Sequence, residues 1–278
     1  MLRKLRRVMA MSAEERRARL RAKWSRWGPA GMALRVSWTL ERLARRKFNV
    51  PYGGRPDVGP RNFTVKMERL AAGGTFEQAG IQLVNLAAVG LLPEESRVFE
   101  IGGGTGYFAS AAARLRRANV VCSEYDTAAR EWAERNRPHP SVVYCKRALE
   151  GVEAGEFDVV VALEVVEHIN SYGALLRRMA RAAPMAILST PNKLRNAFAA
   201  VQAVPEYDEH VLEWTAGEFY WVLRAFWQDV QLWTLPRYQR QTDAFRSGRI
   251  EIPVVASAGL WEVEEPLVAV CRSAIVME

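Results

Sequence analysis

Residues 97–107, RVFEIGGGTGY, set a short apolar run, an acid and four glycines directly ahead of a helix-like stretch. A β-type run that stops on glycines and restarts with helical period reads as a strand–turn–helix corner. The chain then keeps alternating. A helical stretch around 75–90 precedes a strand at 97–101, a helix at 106–117, a strand at 119–123, a helix at 127–136 and a short strand near 142–145. A strand at 157–163, a helix at 172–182 and a strand at 185–189 follow. This succession predicts an α/β fold, Rossmann-like, with a mostly parallel sheet and helices on both faces. In such sheets ligands sit outside the carboxyl ends of the strands, where the strand order switches direction.

Further on, Thr215 and Glu218 have capping-box spacing ahead of EFYWVLRAF, and strands are expected at 229–234 and 266–272. An insertion of about 236–263 separates these two strands. Residues 63–278 thus read as one domain, and 1–62 as a basic helical arm and linker that ends in the Pro- and Gly-dense stretch PYGGRPDVGPRN.

Charge separates the two parts. Residues 1–50 carry 15 Lys and Arg against Glu14, Glu15 and Glu41, a net +12, so the total of +8 leaves the remainder at −4. Met32, Val36, Leu40 and Leu43 recur at helical spacing in the arm. Such an arm can lie on anionic lipid, on RNA, or on its own domain with its arginines solvated; the last is the ordinary use of an amphipathic helix. Three cysteines, Cys122, Cys145 and Cys271, give neither a disulfide framework nor a metal knuckle, which favours a reduced, cytoplasmic setting. No signal-peptide core or membrane-length apolar run is evident.

The glycine turn excludes one ligand and favours another. A dinucleotide fingerprint starting at Gly102 needs a glycine where Tyr107 stands. What fits is acid-x-Gly-x-Gly-x-Gly, carried by Glu100, Gly102, Gly104 and Gly106. Glycines let the backbone approach a ligand closely, and an acid at a strand end can hold an ammonium group. Glu124, at the end of the next strand and 20 residues beyond Gly104, can accept hydrogen bonds from both hydroxyls of a ribose. A nucleoside with an amino-acid tail satisfies both acids.

These motifs resemble the class I S-adenosylmethionine-dependent methyltransferases over roughly residues 75–195, with a weaker likeness through the last strand pair, which in that family closes a seven-stranded sheet as an antiparallel hairpin. The resemblance implies S-adenosylmethionine as cofactor, held by Glu100, Gly102, Gly104, Gly106 and Glu124, with Tyr107, Tyr125, Ala148 and Leu163 beside it. Where many members carry an acid near the adenine amino group, this chain has Arg147 and Ala148.

FDVVVALEVVEHI, residues 157–169, reads as a buried strand running into a helical turn, with Glu164, Glu167 and His168 at i, i+3 and i+4 on one face. STPN at 189–192 ends the next strand, and DEHVLEWT brings His210 into a loop before the capped helix. Two Glu and two His suit a divalent cation such as Mg²⁺, Mn²⁺ or Zn²⁺. The combination resembles small-RNA 2′-O-methyltransferases, whose corresponding residues hold a metal on the terminal ribose. It also resembles the ubiquinone-pathway, glycan-modifying and natural-product O-methyltransferases, in many of which the acid and His pack, position or act as base. His168, His210 and Glu167 are therefore candidates for catalysis as base and orienter, and Glu164, Glu167, His168 and His210 for a metal site.

Three functions fit the sequence. A small-molecule or glycan acceptor would be methylated on a hydroxyl or amine, with Trp38, Phe48, Tyr52, Phe63, Trp221, Trp233, Tyr238 and Trp261 available to stack on it. An RNA ribose would use the +12 arm for phosphate contacts. A catalytically silent, cofactor-binding partner subunit would use the arm for docking to protein, as a peripheral anchor would for membrane.

Overall fold

The computed structural model describes residues 76–195, 210–236, 252–260, 262 and 266–275. The basic arm, the linker and most of the 236–263 insertion lie outside these residues. So do the arm and linker aromatics, Tyr238 and Trp261. Helix α1 spans Phe76–Leu91 and leads into β1, Arg97–Ile101. Then come α2 (Tyr107–Arg116), β2 (Asn119–Ser123), α3 (Thr127–Asn136), β3 (Val142–Cys145) and β4 (Val159–Leu163). A 3₁₀ turn at Val166–His168 precedes α4 (Tyr172–Ala182) and β5 (Met185–Thr190). The last elements are α5 (Ala216–Arg224), β6 (Trp227–Thr234), β7 (Ala256–Ser257) and β8 (Leu267–Ala274).

All eight strands share one sheet, in the order β3-β2-β1-β4-β5-β8-β6-β7. β1 to β5 pair in parallel, while β8 inserts antiparallel between β5 and β6. The expected closing hairpin is present, and the insertion adds a two-residue strand, β7, on the outer edge of β6. A pairing that short carries no readable period, which is why the sequence did not announce it.

Burial on both faces explains the unbroken apolar strands. Side chains alternate, so Val98, Val159 and Val161 meet α1 and α2, while Phe99, Val160 and Ala162 meet α4 and α5 on the other side. Helix α2 gives Phe108, Ala109 and Ala112 to the first cluster; Leu176 and Met179 of α4 and Phe219 and Leu223 of α5 go to the second. β4 begins two residues later than expected because Asp158 turns its carboxylate onto the backbone N–H and guanidinium of Arg97. Thr215 caps α5 as predicted: its hydroxyl accepts from the Glu218 amide, and Glu218 accepts from the Thr215 amide. None of the described helices is long and apolar enough to cross a membrane.

From β1 the chain moves outward through β2 to β3, then returns to β4 on the other side of β1. The switch point therefore lies between the carboxyl ends of β1 and β4. The glycine turn leaves one and the EVVEH segment leaves the other.

Candidate functional site

The glycine turn is built by left-handed backbone and close neighbours. Gly102 (φ +65°) and Gly106 (φ +66°) hold conformations that cost other residues strain. A Cβ on Gly102 would lie 2.9 Å from Val165 Cγ2, and one on Gly106 would overlap the Tyr144 ring. Tyr144 is itself fixed, its hydroxyl donating to the Arg137 carbonyl at 2.8 Å. The Arg137 guanidinium in turn lies 4.8 Å from the centroid of the Tyr107 ring, at the first turn of α2.

Glu124 ties the turn to β2. Its Oε2 accepts from the Gly104 amide at 2.8 Å and its Oε1 from the Asp126 amide at 2.7 Å. Asp126 then caps α3 through Ala129. Tyr125, the next residue, is exposed and has the Lys146 ammonium 5.5 Å from its ring centroid. Ala148 leads into the 3₁₀ turn Leu149–Gly151, and Leu163 is the half-buried last residue of β4. Arg147 is turned elsewhere. Its guanidinium makes two hydrogen bonds to Glu156, at 2.5 and 2.7 Å, and one to the Gly151 carbonyl, while its backbone is held by Ser123 Oγ.

Glu100 stands opposite Cys122 in the β1–β2 register and is buried beside the Cys122 thiol. Its Oε2 has no hydrogen-bond partner in its surroundings. Burial raises its carboxyl to about pKa 7; the hydrogen bond with the Cys122 thiol opposes this, and the Glu124 charge adds a lesser push upward. A partnerless carboxylate oxygen under a glycine turn is what an ammonium-bearing ligand would complete. These residues fit S-adenosylmethionine: glycines for close approach, Glu124 for ribose hydroxyls, Glu100 for the amino group.

On the β4 side, Glu164, Glu167 and His168 do not share one helical turn as the spacing suggested. Glu164 takes a left-handed conformation (φ +53°) before the 3₁₀ turn begins. The neighbouring strand stabilises it: the Ser189 hydroxyl donates to Glu164 Oε1 at 2.7 Å, and the Glu164 amide donates to Ser189 Oγ at 3.0 Å. A strained non-glycine residue held this way is characteristic of functional positions.

Glu167, His168 and His210 are brought together, one ligating atom from each lying within 4.8 Å of the others; Glu164 is not in this group. The two imidazoles meet edge to face with centroids 4.8 Å apart. Glu167 is fully buried, and neither of its carboxylate oxygens has a hydrogen-bond partner. Thr190 Oγ1, also buried, lies beside this carboxyl. Burial, then the Glu164 charge, pushes the Glu167 carboxyl well above the usual carboxylate range.

The His210 loop reaches this position through backbone bonds. The Glu167 carbonyl accepts from the Val211 and Leu212 amides at 2.8 and 3.3 Å. On the other side Asn192 of STPN pairs with Trp214, whose carbonyl accepts from the Lys193 amide at 2.8 Å. The buried Asn192 side chain is fixed by the Glu262 carbonyl and the Leu194 amide. Sequence reasoning missed Glu213, although it lies in the quoted DEHVLEWT stretch. Its Oε1 is 2.7 Å from His210 Nδ1, and the i, i+3 interval was the only available signal. His139, by contrast, accepts from the Ser141 amide in its own turn.

A family model for a methyltransferase domain matches residues 75–226. The ubiquinone biosynthesis O-methyltransferase of Bradyrhizobium sp. (strain ORS 278) is 34% identical over 126 residues, which cover 42% of this chain and 47% of that protein. Its Bradyrhizobium diazoefficiens counterpart is 32% identical over 124 residues with the same coverage. The chain therefore spans about half the length of the curated relatives it matches. Among solved structures, an S-adenosylmethionine-dependent methyltransferase of Thermotoga maritima superposes with a TM-score of 0.54 at 17% identity, over 76% of this chain and 96% of that one. Phosphoethanolamine N-methyltransferase 2 of Haemonchus contortus superposes with a TM-score of 0.50 at 14% identity, over 79% and 58%. At these identities the superpositions show a shared fold.

Proposed function

Because the chain belongs to the class I S-adenosylmethionine-dependent methyltransferase family, we propose that it transfers a methyl group to a hydroxyl of a small-molecule or glycan acceptor, with an amine as the other acceptor class. The observation that supports this reading is the adjacency of two sites. Val165 packs on Gly102 of the glycine turn and leads directly into the turn that carries Glu167 and His168. A donor cradle and a polar cluster so placed can hold the two reactants at attack distance. The curated relatives are O-methyltransferases by name, which favours oxygen over nitrogen.

S-adenosylmethionine, when bound, supplies an electrophilic methyl on sulfur. The residues of the chain do the rest. Glu100, Gly102, Gly104, Gly106 and Glu124 hold the donor, with Tyr107, Tyr125, Ala148 and Leu163 lining it. His168 and His210 receive or share the proton leaving the acceptor hydroxyl, and Glu167 orients that hydroxyl.

A second reading of the same cluster is favoured by the buried Glu167 carboxyl lying beside two imidazoles. Carboxylate and imidazole atoms within 4.8 Å suit a divalent cation, Mg²⁺ or Mn²⁺, held by Glu167, His168 and His210, with Glu164 next to them in sequence. The cation would lower the pKa of an acceptor hydroxyl and make a separate base unnecessary.

Calorimetry with S-adenosylhomocysteine on folded protein tests the donor site: saturable heat at one site supports it, and none removes the whole reading. Transfer of labelled methyl to panels of phenols, catechols, glycans and amines then identifies the acceptor class. Manganese paramagnetic resonance on donor-free protein, with and without Glu167→Gln, separates the cation reading from the base reading.

A further inference from the structure

We propose that Glu213 is a positioning residue for the acceptor site, fixing His210 in the tautomer that carries its proton on Nδ1 and thereby making Nε2 the acceptor nitrogen. It rests on the proposed acceptor role of His210, and its own test begins with the ring, without donor or substrate.

The argument starts from burial. The Glu213 side chain is 1% exposed and His210 is 9% exposed, with Oε1 and Nδ1 2.7 Å apart. That is the length of a charge-assisted bond. An ionised carboxylate can only accept, so a neutral imidazole on this bond must donate from Nδ1. The other ring nitrogen then carries a lone pair. It can take the proton of an acceptor hydroxyl or ligate a cation, and in both chemistries a carboxylate on the far nitrogen orients the ring.

The backbone around Glu213 is held on both sides. Val211 and Leu212 donate to the Glu167 carbonyl, so the loop is attached to the turn that bears the other cluster residues. Trp214, buried beside Glu213, is bridged to Asn192, and Thr215 begins the capped helix α5. Six residues, 210–215, therefore run between two anchors with the carboxylate fixed in the middle. Within the same loop Val211 is exposed, whereas Glu213 and Trp214 are buried, so the carboxylate points inward with the loop's aromatic anchor.

The partner of Glu213 Oε1 is an imidazole whose neighbours, His168 and Glu167, form the cluster. The carboxylate acts on the acceptor through the ring and does not need to touch it.

The experiment is long-range proton–nitrogen correlation spectroscopy on ¹⁵N-labelled, donor-free protein at a fixed, mildly alkaline pH. The chain has three His, so six ring nitrogens are to be assigned, and His210→Asn identifies the pair that disappears. The expected spectrum shows a pyrrole-like Nδ1 and a pyridine-like Nε2 for His210. Glu213→Ala should give averaged shifts from both tautomers, whereas Glu213→Gln, whose carbonyl still accepts, should keep the wild-type pattern. On an acceptor found by the labelled-methyl screen, Glu213→Ala should lower kcat by about 10–100-fold with S-adenosylhomocysteine affinity unchanged, and Glu213→Gln should recover part of the loss. A wild-type Nε2–H tautomer overturns the proposal, as does a tautomer and kcat unchanged in Glu213→Ala. If Glu213→Ala does not fold, the wild-type spectrum decides alone. Failure of donor binding would remove the proposed function and leave the ring result standing by itself.

Discussion

Val165 Cγ2 lies 2.9 Å from the position a Cβ on Gly102 would occupy, and Gly102 has φ +65°. One side chain thus separates the glycine turn from the turn bearing Glu167 and His168. Gly102→Ala should strain the backbone and push Val165 toward the cluster. The expected result is a stability loss of about 1–3 kcal/mol and weaker S-adenosylhomocysteine binding, read by thermal melting and calorimetry. Unchanged affinity would show that the turn does not approach the donor.

Glu124 should contribute to both fold and donor binding. Removing it as Glu124→Ala deletes two hydrogen bonds to the Gly104 and Asp126 amides. A loss on the order of 100-fold in donor affinity is expected, since hydrogen bonds to charged groups are worth about 1.5–3 kcal/mol each. Glu156→Ala, which releases Arg147 at a surface ion pair, should leave affinity nearly unchanged.

Glu100 gives the donor-free protein a defined pH dependence. Its folded pKa, about 7, lies above its ordinary value of 4.5, so the folded state holds this proton more tightly than the unfolded one. The stability contributed is complete below pH 4.5 and is lost as pH rises to about 7, by on the order of 3 kcal/mol. Glu100→Gln should flatten that part of the stability profile in urea titrations between pH 5 and 8. Donor binding below pH 7 should release a proton, because an ammonium partner favours the ionised carboxyl. Calorimetry in buffers of different ionisation enthalpy measures that proton, and its absence would dissociate Glu100 from the amino group.

Glu167→Gln should stabilise the protein while abolishing turnover. The carboxyl is fully buried with its pKa raised well above the usual range, so at pH 8 the folded state must either bury a charge or keep a proton that the unfolded chain would lose. The isosteric amide avoids both costs. A raised melting midpoint with kcat reduced about 10²–10⁴-fold and unchanged donor affinity is expected. A lowered midpoint would mean that the carboxylate is satisfied in a way the fold does not reveal.

Local pattern made most of the architecture legible. The strands Asn119–Ser123 and Val142–Cys145 and the helices Thr127–Asn136 and Tyr172–Ala182 match their expected bounds, because each has a clear period and a clear stop. Errors occurred where tertiary partners set the ends. β6 begins at Trp227, not at 229, because Trp227 pairs with Ala274, and β5 reaches Thr190 because Leu267 lies opposite. The cluster was legible as residue types and illegible as geometry. A helical reading put Glu164 with Glu167 and His168, whereas Ser189, from the next strand, holds Glu164 in a left-handed conformation.

By itself the order of residues determined the alternating α/β layout, the glycine turn and the two acids at consecutive strand ends, because these depend on local period and on interactions between near neighbours. Only the tertiary structure decided that Glu167 would be sealed from water, that His210 would cross to it from 43 residues away, and that Glu213 would take its ring. Those relations depend on which strands become neighbours and on backbone bonds between distant loops, and chain spacing does not encode such distances.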